Sequence, residues 1–436
     1  MNYKIVRYFP LFPLSAVIIS SMNRKSWLAL ILIGLSGQIA WTIENMYFNT
    51  FMYNTITTDP SYIAAMVSSS AVVATLTTLV MGALSDRLGK RKIFITLGYI
   101  IWSFTVLAFG FIKPSALGVT GAATLVVVMD CVMTFFGSTA NDAAFNAYIT
   151  ETVDTKNRTK VEAVVQVLPM ISMLFVFGVM DSFTQRGEWT TFFSITAAIM
   201  LVAGILSVFL LGKDRGEKKE DVKLLDSLLF GFKKSTIENN RNLYIALIAY
   251  AVNALAMQIF FPYLIIYMQT YLGFKDTYVI ILAVALVLAS VVCVLGGKAV
   301  DGIGRVKSSI PMVALMTAGL VMMALARSFV FTIIAGTVMM SGYLLSVSIF
   351  SSMVRDYTPR GNEGEIQGIR MIFQVMIPMV VGPYIGAIAI KGSNLTYVEL
   401  GVEKTVPTPL IFVLAAVVEV FTVIPILILR KRKKTV

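Results

Sequence analysis

The stretch Gly82-Ala83-Leu84-Ser85-Asp86-Arg87-Leu88-Gly89-Lys90-Arg91-Lys92 decides how the rest of the chain is read. A counterpart follows 215 residues later: Gly297-Lys298-Ala299-Val300-Asp301-Gly302-Ile303-Gly304-Arg305-Val306-Lys307. Both fit G-x-x-x-D-x-x-G-[K/R]-x-K. A second pair comes in the same order, Glu151, Asn157 and Val161 against Asp356, Asn362 and Ile366, at an offset of 205. Pro169 and Pro378 then recur in Leu-Pro-Met and Ile-Pro-Met. Two matched pairs in one order argue for a unit of about half the chain that occurs twice.

What surrounds these loops is almost entirely apolar. Of 436 residues, 57% are hydrophobic and 14% charged, with mean hydropathy +0.81. A soluble chain carries roughly 25% charged residues, so a hydrated shell is missing here. Apolar runs fall at about 27–56, 61–85, 93–112, 119–150, 161–183, 190–212, 242–271, 277–300, 308–326, 329–354, 366–390 and 407–429. A bilayer-spanning helix takes roughly 20 such residues. A soluble bundle would show polar stripes at helical period, and most of these runs show none. The expected fold is an all-α membrane protein, twelve transmembrane helices in two pseudo-symmetric six-helix bundles.

Charge gives the orientation. All Lys and Arg except Lys113, Arg186, Lys275, Arg327, Lys391 and Lys404 fall on one side of the runs, at the ends of the chain and in the even-to-odd connections. That bias places both termini in the cytoplasm of a multi-pass cell-membrane protein. The net charge of +12 therefore serves orientation and contact with the lipid bilayer, not nucleic acid. The basic tail 430–436 also attracts anionic lipid.

The expected parts are a cytoplasmic segment 1–26, an N-terminal bundle 27–212, a linker 213–241, a C-terminal bundle 242–429 and the tail. Residues 1–21 hold an apolar stretch, Phe9 to Ile19, that Pro10 and Pro13 interrupt and that is too short to span. Met22 is expected to be the natural start, with a short interfacial segment as the alternative. In the linker, Val222, Leu225, Leu228, Leu229 and Phe232 recur at helical spacing among charges. They predict an amphipathic helix on the cytoplasmic membrane surface that tethers the bundles.

The Gly82–Lys92 stretch resembles the signature loop between helices 2 and 3 of the major facilitator superfamily, and Gly297–Lys307 its second-half counterpart. The resemblance covers the whole chain and implies alternating access by rocking of two halves. It implies that Gly82, Gly89, Gly297 and Gly304 permit tight turns and close helix contact. A gating relay would comprise Asp86, Arg91 and Glu151, with Asp301, Arg305 and Asp356 in the second half.

A charge in the hydrocarbon core costs about 2.5–3.5 kcal/mol even on a mild scale, so each one needs a reason. Five acidic residues lie within runs: Glu44, Asp130, Asp142, Asp181 and Glu419. Asp181 is read as a membrane-interface residue, Glu419 as a packing polar group, and Asp130 is left open between the two. In the first run, Gln38, Trp41, Glu44 and Asn45 recur in steps of three and four, along one broad face. Asp142, beside Asn141, lies about 13 Å from the end of its helix near Glu151, at 1.5 Å per residue.

The resemblance implies that helices 1, 4, 7 and 10 line a central cavity, which adds Asn253 and Gln258. Gln374 joins them from the eleventh run. These groups suit a polyhydroxylated ligand: amides and carboxylates pair with hydroxyls, and Trp41 offers a flat face to a sugar ring. The competing reading is polar glue between helices.

Gly37 to Glu44 resembles the first helix of sucrose-type transporters. Asn141-Asp142 and the connection after it are similar to the glycoside–pentoside–hexuronide cation symporters. Sodium-coupled members of that group carry acidic residues in helix 2, and Ser61–Ser85 holds none. A proton on Asp142 or Glu44 is thus the expected coupling ion, and sodium is disfavoured. The expectation is proton-coupled symport of a sugar or glycoside, with export of amphiphilic compounds as the alternative.

A membrane-embedded enzyme is a third class. It is disfavoured because there is no His and no metal-ligand motif, and Cys131 and Cys293 are isolated in apolar runs. No cofactor is expected. A phosphate-binding G-x-x-x-x-G-K-[ST] loop does not occur, so ATP does not drive this chain through a site of its own.

Overall fold

The computed structural model describes residues 24–152, 158–212, 214, 232–359, 368–393, 395–399 and 402–434. Among them, twelve helices are long and apolar enough to cross a membrane. The first six are α1 (Lys25–Ile56), α2 (Pro60–Leu88), α3 (Arg91–Phe109), α4 (Pro114–Ile149), α5 (Val167–Gln185) and α6 (Trp189–Leu210). The second six are α7 (Arg241–Thr270), α8 (Tyr278–Gly297), α9 (Arg305–Leu325), α10 (Phe329–Tyr357), α11 (Gly368–Gly392) and α12 (Leu410–Arg432). Helices satisfy their own peptide groups, which is the condition for crossing hydrocarbon. Even parity puts both ends of the described chain on one face, here termed the terminal face. The other is the far face.

The helix boundaries follow local chemistry. Asp59 caps α2 by accepting the Ser61 N–H at 2.9 Å, and Pro60 fills the first helical position, where no N–H is needed. At the other end Gly89 takes φ 62° and its N–H bonds the Ser85 carbonyl at 3.0 Å. A left-handed residue at that place is the common helix stop, and glycine adopts it without a Cβ clash.

The packing repeats as the sequence does. Among the first six helices, α3 packs on α6, α2 on α4, and α1 on α5 and α6. Six helices later, α9 packs on α12, α8 on α10, and α7 on α11 and α12. α1 and α7 are the most buried spans and α8 the least. That is the burial pattern of two bundles, each with one central helix.

The bundles meet along α2 and α11 and through the far-face end of α5, Val176–Met180, against α8. Ser68 of α2 donates to the Val380 carbonyl of α11 at 3.1 Å. At the far face a short hairpin, β1 (Thr396–Glu399) with β2 (Val402–Thr405), joins α11 to α12. The hydropathy pattern gives no sign of it. Tyr53 of α1 donates to the Thr405 carbonyl at 2.7 Å, and Thr405 Oγ1 donates to the Thr58 carbonyl at 2.7 Å. Lys391 Nζ lies 2.9 Å from Asp59 Oδ1.

Residues 1–23, which contain Met22, lie outside the described residues, and so do the predicted amphipathic positions Val222 to Leu229. Of the linker, the described part includes exposed Phe232 and a short helix, Lys234–Asn239.

Asp59 lies between spans. Burial works to raise its pKa, but the Lys391 ammonium and the Ser61 N–H outweigh it and hold the carboxyl below the usual value. A depressed carboxyl contributes above its unfolded pKa of about 3.9 and loses that contribution as pH falls through the folded value. The pair is about half exposed, so Lys391→Ala should lower stability by less than about 1 kcal/mol at pH 7. Thermal unfolding in detergent should show that small loss between pH 5 and 8, and the loss should shrink as acid protonates the Asp59 carboxyl.

Candidate functional site

Most of the intramembrane carboxylates lie in the N-terminal bundle, and several helices are irregular around polar residues. α1 adopts π-helical geometry over Ile43–Phe48, around Glu44. α4 does so over Ser138–Phe145, around Asn141 and Asp142. α11 does so over Ile372–Met376, around Gln374. A π turn adds a residue to the helical circuit and re-aims the side chains that follow, and such turns recur at functional sites.

Glu44 is 9% exposed, and its Oε1 accepts from Thr134 Oγ1 of α4 at 2.9 Å. Its Oε2 has no partner, and neither has Oδ1 of the buried Asp130. Asp130 and Asp142 both lie near enough to act electrostatically on Glu44. Asp142 is half-buried and held by two donors, Ser138 Oγ at 3.2 Å and Asn141 Nδ2 at 3.1 Å. Asn141 Oδ1 in turn lies 3.0 Å from the Tyr99 hydroxyl of α3.

Gly37 makes this arrangement possible, because a Cβ there would sit 2.5 Å from both Asn141 Oδ1 and the Tyr99 oxygen. Trp41, half-buried, lies beside Asp142 and packs on Trp102 at 5.0 Å between ring centroids. Gln38 is also half-buried on this helix.

Other sequence-predicted residues are placed differently. Asn45 Nδ2 donates within its own helix to the Trp41 carbonyl at 2.8 Å. Asn253 is wholly buried in the C-terminal bundle, where Nδ2 donates to Glu419 Oε1 of α12 at 2.9 Å. That bond joins α7 to α12 within one bundle. Gln258 is half-buried where α7 meets α11, with Gly382 against its Cβ. Gln374 Oε1 accepts from Arg370 Nε at 2.9 Å, and its Nε2 is unpartnered.

At the terminal face Arg91 is 4% exposed and gathers the loop residues around it. It pairs with Asp86, with Ser85 Oγ and, at 2.8 Å, with Glu151 Oε1. In the second half Arg305 pairs with Asp356. The Asp301 side chain lies outside the described residues. Gly304, like Gly89, has positive φ, at 95°. Gly82 and Gly297 differ from the expectation of close helix contact: a Cβ at either would meet nothing within 4 Å.

Asp181 corrects the sequence reading most. It is not at a lipid interface but 1% exposed, at the seam between bundles. Its Oδ1 accepts from Tyr47 of α1 at 2.8 Å and from Tyr278 of α8. Gln185 Nε2 donates to Oδ2 at 2.5 Å. Tyr47 and Tyr278 are 134 and 97 residues from Asp181, so no local pattern announces the cluster. Among the described residues, no group of three or more His, Cys, Asp or Glu could hold a metal ion.

The sequence profile of the Major Facilitator Superfamily matches residues 26–383 and, again, 246–436. The chain belongs to the major facilitator superfamily. It is therefore a secondary transporter of small molecules and not an enzyme. Solved members of similar fold include a point mutant of the nucleoside transporter NupG, with TM-score 0.72 and 13% identity over 93% of this chain and 100% of that one. A bacterial homologue of the human lysosomal transporter Spinster, inward-facing and unoccupied, aligns with TM-score 0.65 and 14% identity over 94% and 96%. The xylose transporter XylE from E. coli, partially occluded and inward-open, aligns with TM-score 0.65 and 13% identity over 91% and 97%. At such identities the likeness concerns the fold. No curated protein sequence gives a significant match.

Gly37→Ala should be costly in this transporter, by about 1–3 kcal/mol, since overpacking forces Asn141 and Tyr99 apart. Thermal unfolding in detergent should show a lowered midpoint. Gly178→Ala, where a Cβ meets nothing within 4 Å, should show no fall.

Proposed function

We propose that this transporter moves a sugar or glycoside together with a proton, by alternating access between two bundles. The observation that carries the reading is the constellation on α1 and α4: Trp41, Glu44, Asn141 and Asp142 beside Asp130. It combines a flat apolar face, an amide and carboxylates in a buried setting. Sugar hydroxyls need that mixture of donors and acceptors. The carboxylates supply a place for the proton, and α2 carries no acidic residue from Pro60 to Ser85 that would favour sodium.

The seam supports a state of the cycle. Asp181 with Tyr278, Tyr53 with Thr405 and Asp59 with Lys391 all hold the far face shut. The basic loops put the terminal face in the cytoplasm of a cell membrane. The bundles are then closed outside. The open space beside Gly82 and Gly297 fits that state, because closure of the terminal face would bring a helix of the other bundle onto each. Arg91, held here by Asp86 and Glu151 of its own bundle, and Arg305, held by Asp356, would exchange partners as that face closes.

Export of amphiphilic compounds has weaker support. The apolar space between bundles, lined by Met46, Met173, Phe177, Phe261 and Met268, is about 50 Å³. Ligand sites run to roughly 300–1,000 Å³.

Uptake of radiolabelled sucrose and methyl β-D-xyloside into vesicles tests the reading. An inward proton gradient should drive accumulation, and Asp142→Asn should abolish that stimulation, by about tenfold or more, while leaving the protein folded. Accumulation that follows sodium instead, or an Asp142→Asn variant that still responds to the proton gradient, would overturn it.

A further inference from the structure

The far face carries a cleft of about 420 Å³ that lies directly over the Asp181 cluster. Its walls come from both bundles. Asn54 and Thr55 stand at the end of α1, Thr184 and Gln185 at the end of α5, and Gln269 and Thr270 at the end of α7. Three carboxamides and three hydroxyls therefore face one space. Trp189 adds a wall at the start of α6, with its ring fixed against Phe51 at 5.3 Å between centroids. The exposed Lys275 and Asp276 also line it and cancel in charge.

This lining has the chemistry of a neutral polyol site. Carboxamides each offer donors and acceptors, the hydroxyls of Thr55, Thr184 and Thr270, which donate to carbonyls of their own helices, offer acceptor lone pairs, and the buried, fixed indole supplies an apolar wall. The volume lies within the range of small-molecule sites. Fixed net charge is absent, which disfavours an anion or a cation as occupant.

Two lining residues also belong to the seam. Gln185 Nε2 donates to Asp181 Oδ2 at 2.5 Å, and Thr184 Oγ1 lies 3.1 Å from Oδ1. Gln185 is exposed, so its amide can exchange the carboxylate for a solute hydroxyl without leaving the cleft. Tyr278, bound to the same carboxylate, belongs to the other bundle. An occupant that draws Gln185 and Thr184 upward removes donors from the group that holds the bundles together.

We propose that this cleft is an external docking site for a neutral sugar or glycoside, and that its occupant loosens the Asp181 tie through Gln185 and Thr184. The proposal takes its ligand class from the function proposed above, and its test separates the two. Purified full-length protein in detergent is titrated with sucrose, methyl β-D-xyloside and, as the anionic comparison, glucuronate, with tryptophan fluorescence as the readout.

A neutral probe should give a saturable change that is lost in Trp189→Phe. Its half-saturating concentration should rise about tenfold in Gln185→Ala and in Gln269→Ala, the loss expected for one or two hydrogen bonds. Glucuronate should give none. The same probes are assayed for uptake in vesicles. If one is taken up but none gives a Trp189-dependent change, the docking site is wrong and the transport reading stands. A Trp189-dependent change without uptake of any probe leaves the docking site standing and removes the transport reading. No response in either assay overturns both. A half-saturating concentration unmoved in Gln185→Ala overturns the link to Asp181.

Discussion

The Asp181 carboxylate accepts from Tyr47 in its own bundle and from Tyr278 in the other. A hydrogen bond to a charged group contributes about 1.5–3 kcal/mol, more than the net contribution of a neutral one. Buried at 1% exposure, this contact cannot be exchanged freely with water. It ties the two bundles together at the far face. The hairpin contacts of Tyr53 and Thr405 and the exposed Asp59–Lys391 pair lie on the same face and act in the same sense.

A second constraint comes from the bilayer. Peptide groups within hydrocarbon must bond within their own helix, so the backbone has little scope to shape a site. In this chain that scope is used at π turns. Those at Ile43–Phe48, Ser138–Phe145 and Ile372–Met376 fall on Glu44, on Asn141 and Asp142, and on Gln374, and two more, Met52–Ile56 and Val176–Met180, lie toward the far face. Side chains thereby reach inward from helices that remain hydrogen-bonded. Gly37 then lets α1 come close enough for Asn141 and Tyr99 to meet.

The fold was legible because its signals are local or periodic. Twelve apolar runs lie in sequence as spans, and the G-x-x-x-D-x-x-G-[K/R]-x-K loops locate the positive-φ turns at Gly89 and Gly304. The grouping of Arg91 with Asp86 and Glu151 was legible through the resemblance to the superfamily, not through the loop motif alone, since Glu151 lies 60 residues from Arg91. Helix facing was not. Asn253 and Glu44 are alike as polar residues in apolar helices, yet one is enclosed by α12 and the other stands on the α1–α4 side. That difference depends on rotation about the helix axis, which a run that is apolar all round leaves undetermined. The Asp181 cluster was illegible for another reason: its members come from three helices and two bundles. The hairpin before α12 is too short and too polar to register in a hydropathy pattern.

The most direct test of the account is the distance between spin labels across each face. Labels at Arg87 and Lys307 report on the terminal face, and labels at Lys113 and Ser328 on the far face; all four positions are exposed. Double electron–electron resonance on both pairs should show that Tyr278→Phe lengthens the far-face distance and shortens the terminal-face distance. Distributions that stay as in the parent, or that move in the same direction at both faces, would contradict it.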